Sequence, residues 1–282
     1  MRPTLPALLV GHWQLNPGLL LQAVGCAGVY LWAARRLGPR WPVRRTASFL
    51  AGIGVVLVAL GSGVDAYSER LLSVHMVQHM LLLLVAPALL LCGRPVLLAL
   101  RVLAPSPRRS LAKALFRLRP LTSPVACLTI FCAVVTVTHL PSVYDWALRV
   151  PAAHVAEHTA YLLAGMLLWW PLVDADPAPV RRLGGLGRLG YLLVAMVPMA
   201  LVGAYLNRYP ALVYAPYAAP ARTMSVSALV DQADAGAIMW VVGDVIMVAI
   251  GLWSTIAALV AEERRQRVRE ARAGAALRTE VR

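Results

Sequence analysis

The sequence predicts an all-α integral membrane protein: seven transmembrane helices in one bundle, N-terminus outside and C-terminus cytoplasmic. Three observations predict it. Of 282 residues, 60% are hydrophobic and only 14% charged, too apolar for an ordinary soluble domain of this length. Seven apolar stretches come close to or exceed the roughly 20 residues that a helix needs to cross a bilayer. The basic residues behind the net charge of +14 sit in short blocks between those stretches, which is the pattern of membrane orientation rather than of nucleic-acid binding.

The first span is read over 16–34, NPGLLLQAVGCAGVYLWAA, and the second over 46–63, TASFLAGIGVVLVALGSG. The third, 70–92, is RLLSVHMVQHMLLLLVAPALLLC, and the fourth, 122–140, ends in VTVTHL. The fifth, 152–173, is AAHVAEHTAYLLAGMLLWWPLV; the sixth covers 188–206 and the seventh 232–260. Together they make one transmembrane domain over 1–261, followed by a basic tail over 262–282, read as a polar helical extension near anionic lipid. The apolar piece Val96–Leu103 is too short to span and reads as interfacial or re-entrant. MRPTLPALLVGHW lacks a basic n-region and a small-residue cleavage site, so no signal peptide is expected. Cys26, Cys92, Cys127 and Cys132 form no CxxC pair and read as small apolar residues.

Orientation follows from Lys and Arg. Of 27, 22 fall in the loops after spans 1, 3 and 5 and in the tail, including Arg181 and Arg182. That asymmetry places those segments in the cytoplasm. Trp13, Tyr144, Trp146, Tyr205, Tyr209, Tyr214 and Tyr217 then crowd the outer side, where an interfacial aromatic belt is expected.

With this orientation every histidine lies on the outer side. His75 and His79 are four apart in span 3, and His154 and His158 are four apart in span 5. Residues at this spacing share a helix face, so each pair can converge on one ion. His139 ends span 4, and His12 precedes span 1. Asp231 and Asp234 share a face at the start of span 7, and Asp244 lies deeper. Met76 and Met80 repeat the spacing beside the first histidine pair. Imidazole with thioether suits copper; a carboxylate would broaden the choice to zinc or iron. Each feature has a plainer reading. A single intramembrane histidine is commonly a helix–helix hydrogen-bond donor, a methionine is packing, and Asp231 is a fitting N-cap. Separate partners for five histidines are harder to supply than one metal site, or two adjacent ones.

Three rival uses of the same residues stand beside a metal-binding role. HVAEH, 154–158, matches the H-x-x-E-H pattern of some zinc proteases, with Glu157 as base. Two histidines from different helices can hold a haem. A cation permease would use the same groups as a transit path, although only Asp244 and a few Ser/Thr continue inward.

Four stretches, HMVQHMLLLLVAPALLL (75–91), THLPSVYDWAL (138–148), HVAEHTAYLLAGMLLWWPLV (154–173) and DQADAGAIMWVVGD (231–244), resemble the multi-spanning caa3-type cytochrome c oxidase assembly factors called CtaG. The resemblance implies a seven-span, non-enzymatic protein of the bacterial inner membrane, needed to assemble haem-copper oxidase and thought to deliver copper. It singles out His75, His79, His139, His154, His158 and Asp231 as the metal-site positions. The expected mechanism follows. Cu(I) arrives from an extracytoplasmic donor, is held by His75, His79, His154 and His158, and leaves for the nascent oxidase subunit with His139 as hand-off ligand. Asp231 orients an imidazole. The other partner is the lipid bilayer, and no nucleic acid is expected.

Overall fold

The computed structural model describes residues 3–9, 11–14, 16–173 and 183–280, with side chains as far as Glu270. Arg181 and Arg182, used in the charge count, lie outside the described residues. Among those described the chain is helical, with no strand.

A short α1 (Leu5–Leu9) precedes α2 (Pro17–Leu37) and α3 (Val43–Gly61). Then come α4 (Gly63–Ser68), α5 (Leu72–Met80), a π turn over Leu81–Val85, and α6 (Ala86–Cys92). α7 (Pro95–Val102), α8 (Pro105–Arg117), α9 (Pro124–Thr138), α10 (Pro141–Arg149) and α11 (Pro151–Val173) follow. The last third holds α12 (Gly185–Arg208), α13 (Ala218–Thr223), α14 (Ala228–Ala237), a second π turn over Ile238–Val242, and α15 (Gly243–Glu280). Proline opens many of these helices, where its missing N–H costs nothing. Asn16 caps α2 by accepting from Gly18 N–H at 2.8 Å.

Among the described residues, five helical stretches are long and apolar enough to cross a bilayer: 17–40, 43–68, 72–102, 185–208 and 228–270. α9 and α10, bent by 74°, make a sixth if counted as one span. α11 is 23 residues long. It falls short on apolarity because His154, Glu157 and His158 lie within it, so the residues that make the site weaken the apolar signal of the helix that carries them. The piece read as interfacial is α7, which follows a left-handed Arg94 (φ 52°) and packs on α2 with Leu98 buried. The helix of span 7 does not stop at the basic tail; α15 runs through it to Glu280.

Two close helix approaches set the frame. Pro87 has no N–H to give to Leu83 O, one turn earlier, and the π turn lies over that defect, with Ala86 N–H reaching back to Leu81 O. Gly165 of α11 packs on the freed carbonyl: a Cβ there would stand 2.1 Å from Leu83 O and 2.7 Å from Pro87 Cγ. α12 and α14 cross at Gly203 and Gly236 in the same way, small residues letting backbones touch where no apolar transfer drives association. The core between them is filled by Phe131, Tyr161, Trp169, Leu84 and Met199. At the opposite end from the histidines, buried Arg188 donates to Leu172 O (2.6 Å), Ser254 O (3.2 Å) and Leu183 O (3.2 Å), tying α11 to α15 through carbonyls near the α11 C-terminus.

Candidate metal centre

The Leu83–Gly165 contact sets the π turn and α6 against α11, and the histidine pair of α5, just ahead of that turn, meets the pair of α11. His75 and His79 are fully buried. Their Nε2 atoms are 2.6 Å apart. The His75 and His154 rings stack at 5.4 Å, and His158 stands 6.2 Å from His75 and 6.0 Å from His79. His139, at the end of α9, lies 6.1 Å from His79. Five of the six histidines thus form one knot. His12 stands apart, edge-on to Tyr67 at 5.5 Å.

Two sets of donor atoms each lie within 4.8 Å of one another: His75, His154 and His158, and His75, His79 and Glu157. His75 belongs to both. Glu157 is the residue that sequence reasoning used only as the base of a protease pattern; its place three residues after His154, on the same face, was the signal that could have added it. The donor chemistry fits a transition metal. His79 Nδ1, the Nε2 atoms of His139, His154 and His158, and both Glu157 oxygens are buried without a hydrogen-bond partner. Each such orphan costs about 1–3 kcal/mol, and a shared cation satisfies several of them together. Imidazole with one carboxylate suits copper, zinc or iron.

Tautomers follow from the partners. His139 Nδ1 meets Val135 O at 2.7 Å, so it carries the proton and leaves the Nε2 lone pair free. His75 Nδ1 meets the Tyr217 hydroxyl at 2.7 Å, and that hydroxyl donates to Ser68 O at 3.1 Å. This assigns the proton to Nδ1 of His75 and turns its Nε2 lone pair toward the knot.

Two sequence expectations are corrected here. Tyr144, Tyr214 and Tyr217 are not an interfacial belt: all three are buried. Tyr144 stacks on Tyr214 at 4.0 Å and lies 5.4 Å from His75, while Tyr214 donates to His139 O at 2.8 Å. Amphipathic rings serve an interface or a polar pocket equally well, and the polar imidazoles drew these inward. Trp13, Trp146, Tyr205 and Tyr209 are exposed, as a belt requires.

Asp231 is corrected in role. It touches no imidazole by hydrogen bond and belongs to neither donor set. Its Oδ2 accepts from Leu72 N–H at 2.6 Å and its Oδ1 accepts from the Ser73 hydroxyl. Leu71 precedes α5 and has no side chain that can cap it, so Asp231 supplies the cap from α14 and places a negative charge at the positive end of the histidine helix. The neighbouring Gln232 accepts from Val213 N–H at 2.7 Å and donates to Ala211 O at 3.0 Å, fixing the segment that carries Tyr214 and Tyr217. The DQ pair therefore builds the walls of the site. Asp234 and Asp244 are half-buried and lie in neither donor set. The four cysteines are free.

Fold and site define a helical membrane protein that closes a knot of imidazoles and one carboxylate at one end of its bundle. The sequence profile of one family, described as cytochrome c oxidase caa3 assembly factor, matches residues 28–259, and the chain belongs to that family. The resemblance read from the four stretches is borne out by this match. Similar proteins include the uncharacterized proteins Mb0105 of Mycobacterium bovis and MT0111 of Mycobacterium tuberculosis, each 33% identical over 249 residues, covering 81% of this chain and 38% of theirs. ML1998 of Mycobacterium leprae, also uncharacterized, is 31% identical over 242 residues, covering 82% of this chain and 36% of its own. The chain thus spans less than two fifths of the length of these relatives. No solved structure matches it.

Proposed function

We propose that this chain holds copper as cargo in its histidine knot and assists its insertion into a haem-copper oxidase. Family membership supports the process, oxidase assembly, and with it a non-catalytic role. The observation that carries the metal reading is the pair of overlapping donor sets meeting at His75, with the orphaned nitrogens around them. The all-nitrogen set of His75, His154 and His158 suits Cu(I); the carboxylate of the other set suits a divalent ion. The unpartnered Nε2 of His139, beside His79, supports reading it as the hand-off ligand.

The wider reading keeps seven spans, α11 among them, in the bacterial inner membrane. The histidine end faces outward, toward an extracytoplasmic copper donor. The arginine-rich end faces the cytoplasm, supported by the distribution of Lys and Arg. The nascent oxidase subunit is the recipient.

In cells, a His75→Ala/His154→Ala variant present at normal membrane level is expected to lower oxidase copper content and activity about tenfold or more, since every donor set is broken. Normal oxidase copper in that strain would remove the site from assembly.

A further inference from the structure

A second cluster of metal-ligating side chains lies outside the histidine knot. Five of the nine methionines, Met76, Met80, Met199, Met239 and Met247, are buried in the largest of the buried clusters. They come from three parts of the fold: α5, α12, and the second π turn with the start of α15. Two of them, Met80 and Met199, meet at Gly243. A Cβ there would lie 3.2 Å from Met80 Sδ and 2.6 Å from Met199 Cε, so two thioether ends from different helices close on the same spot. Met247 sits one turn along α15 from Gly243, on the same face, and Met239 lies in the π turn just before it.

The backbone at this place is unusual on both sides. One π turn starts directly after Met80, and the other ends directly before Gly243. These two segments pack on each other's helices. π turns shift side-chain register at a cost in regular hydrogen bonding and gather at functional sites. Leucine would fill an apolar core with less loss of rotamer freedom than methionine. Thioethers bring a lone pair that needs no hydrogen-bond partner, so they lie ready to ligate without penalty when empty. Being neutral, they leave the ion's charge uncompensated. A monovalent ion costs less to bury in this low-dielectric core than a divalent one, and thioethers favour soft cations.

We propose that Met80 and Met199, converging beside Gly243, form a second metal site that takes a monovalent soft cation, Cu(I) or its analogue Ag(I), as thioether ligands. Met80 follows His79 directly, so the two sites are adjacent along one helix. The inference stands on the methionines alone and does not require that the histidines bind copper.

The test uses the purified full chain in detergent with Ag(I) and Zn(II) as separate probes. In a His75→Ala/His79→Ala/His154→Ala/His158→Ala background that also carries Cys26→Ala/Cys92→Ala/Cys127→Ala/Cys132→Ala, because free thiols outcompete thioethers for Ag(I), about one Ag(I) per chain is expected to remain. Adding Met80→Leu/Met199→Leu, a volume-conserving exchange, is expected to weaken that binding about tenfold or more. Zn(II) is expected to depend on the histidines and to ignore the methionine exchange. Ag(I) lost with the histidines alone, or kept after the methionine exchange, overturns the proposal. If the histidine background does not fold, Ag(I)-loaded protein with selenomethionine in place of methionine decides instead. Silver–selenium scattering in X-ray absorption supports the site, and its absence overturns it. Absent Zn(II) binding with methionine-dependent Ag(I) would sink the histidine reading and leave this one standing.

Discussion

Replacing Gly165 by leucine is expected to destabilise the protein by about 3 kcal/mol or more and to abolish metal retention. Even the single carbon of alanine would stand 2.1 Å from Leu83 O and 2.9 Å from Leu83 C. These are backbone atoms of a π turn, so they give way only if α5 and α6 move as a unit. That movement separates His75 and His79 from His154 and His158, because α5 runs directly into the π turn that Gly165 touches. Thermal unfolding and metal content of Gly165→Ala and Gly165→Leu check this together. A Gly165→Ala protein with wild-type unfolding temperature and full metal would show that the helices do not touch here.

Removing the Asp231 carboxylate is the second large effect. Asp231→Ala leaves Leu72 N–H and the Ser73 hydroxyl without their shared acceptor at the buried start of α5. Hydrogen bonds to a charged group contribute about 1.5–3 kcal/mol each, so a loss of about 3 kcal/mol is expected. Asp231→Asn keeps one acceptor oxygen and should lose roughly half as much. The pair of variants also separates two roles. A capping residue predicts that Asp231→Asn still binds metal and is only less stable, whereas a metal ligand would lose binding in both variants at once. Unfolding midpoints read beside metal affinity distinguish the two.

How much of this was legible in the sequence depends on how local each feature is. Apolar length places some helices to within a few residues: the stretch read at 152–173 is α11, Pro151–Val173, and that read at 188–206 lies inside α12, Gly185–Arg208, whereas the helix read to 260 runs on to Glu280. Spacing of four within one helix brings each histidine pair onto one face, and the structure adds that the faces meet. The π turns were hidden, because LLLLV and IMWVV are uniform apolar runs whose register nothing marks except Pro87. The role of Asp231 was out of reach for a different reason. Its partner Leu72 is 159 residues away, and an acid at a helix start normally caps its own helix. The tyrosines failed for want of a criterion: a ring near a span's end is equally suited to headgroups and to a polar pocket, and only packing separates Tyr217 from Tyr209. Glu157 was noticed only as the base of a rival pattern, and the structure brings it among the imidazoles.

The central claim is that the histidine knot holds copper, and the most direct measurement is the metal content and absorption spectrum of purified protein after anaerobic loading with Cu(I), beside a His75→Ala/His79→Ala variant. The comparison includes the Met80→Leu/Met199→Leu protein, so that copper at the thioethers is counted separately. The account predicts copper near stoichiometry in the wild type, a clear loss in the histidine variant, and no Soret band. Copper equal in wild type and histidine variant, or iron with a Soret band, would contradict it: the imidazoles would then be packing donors or haem ligands.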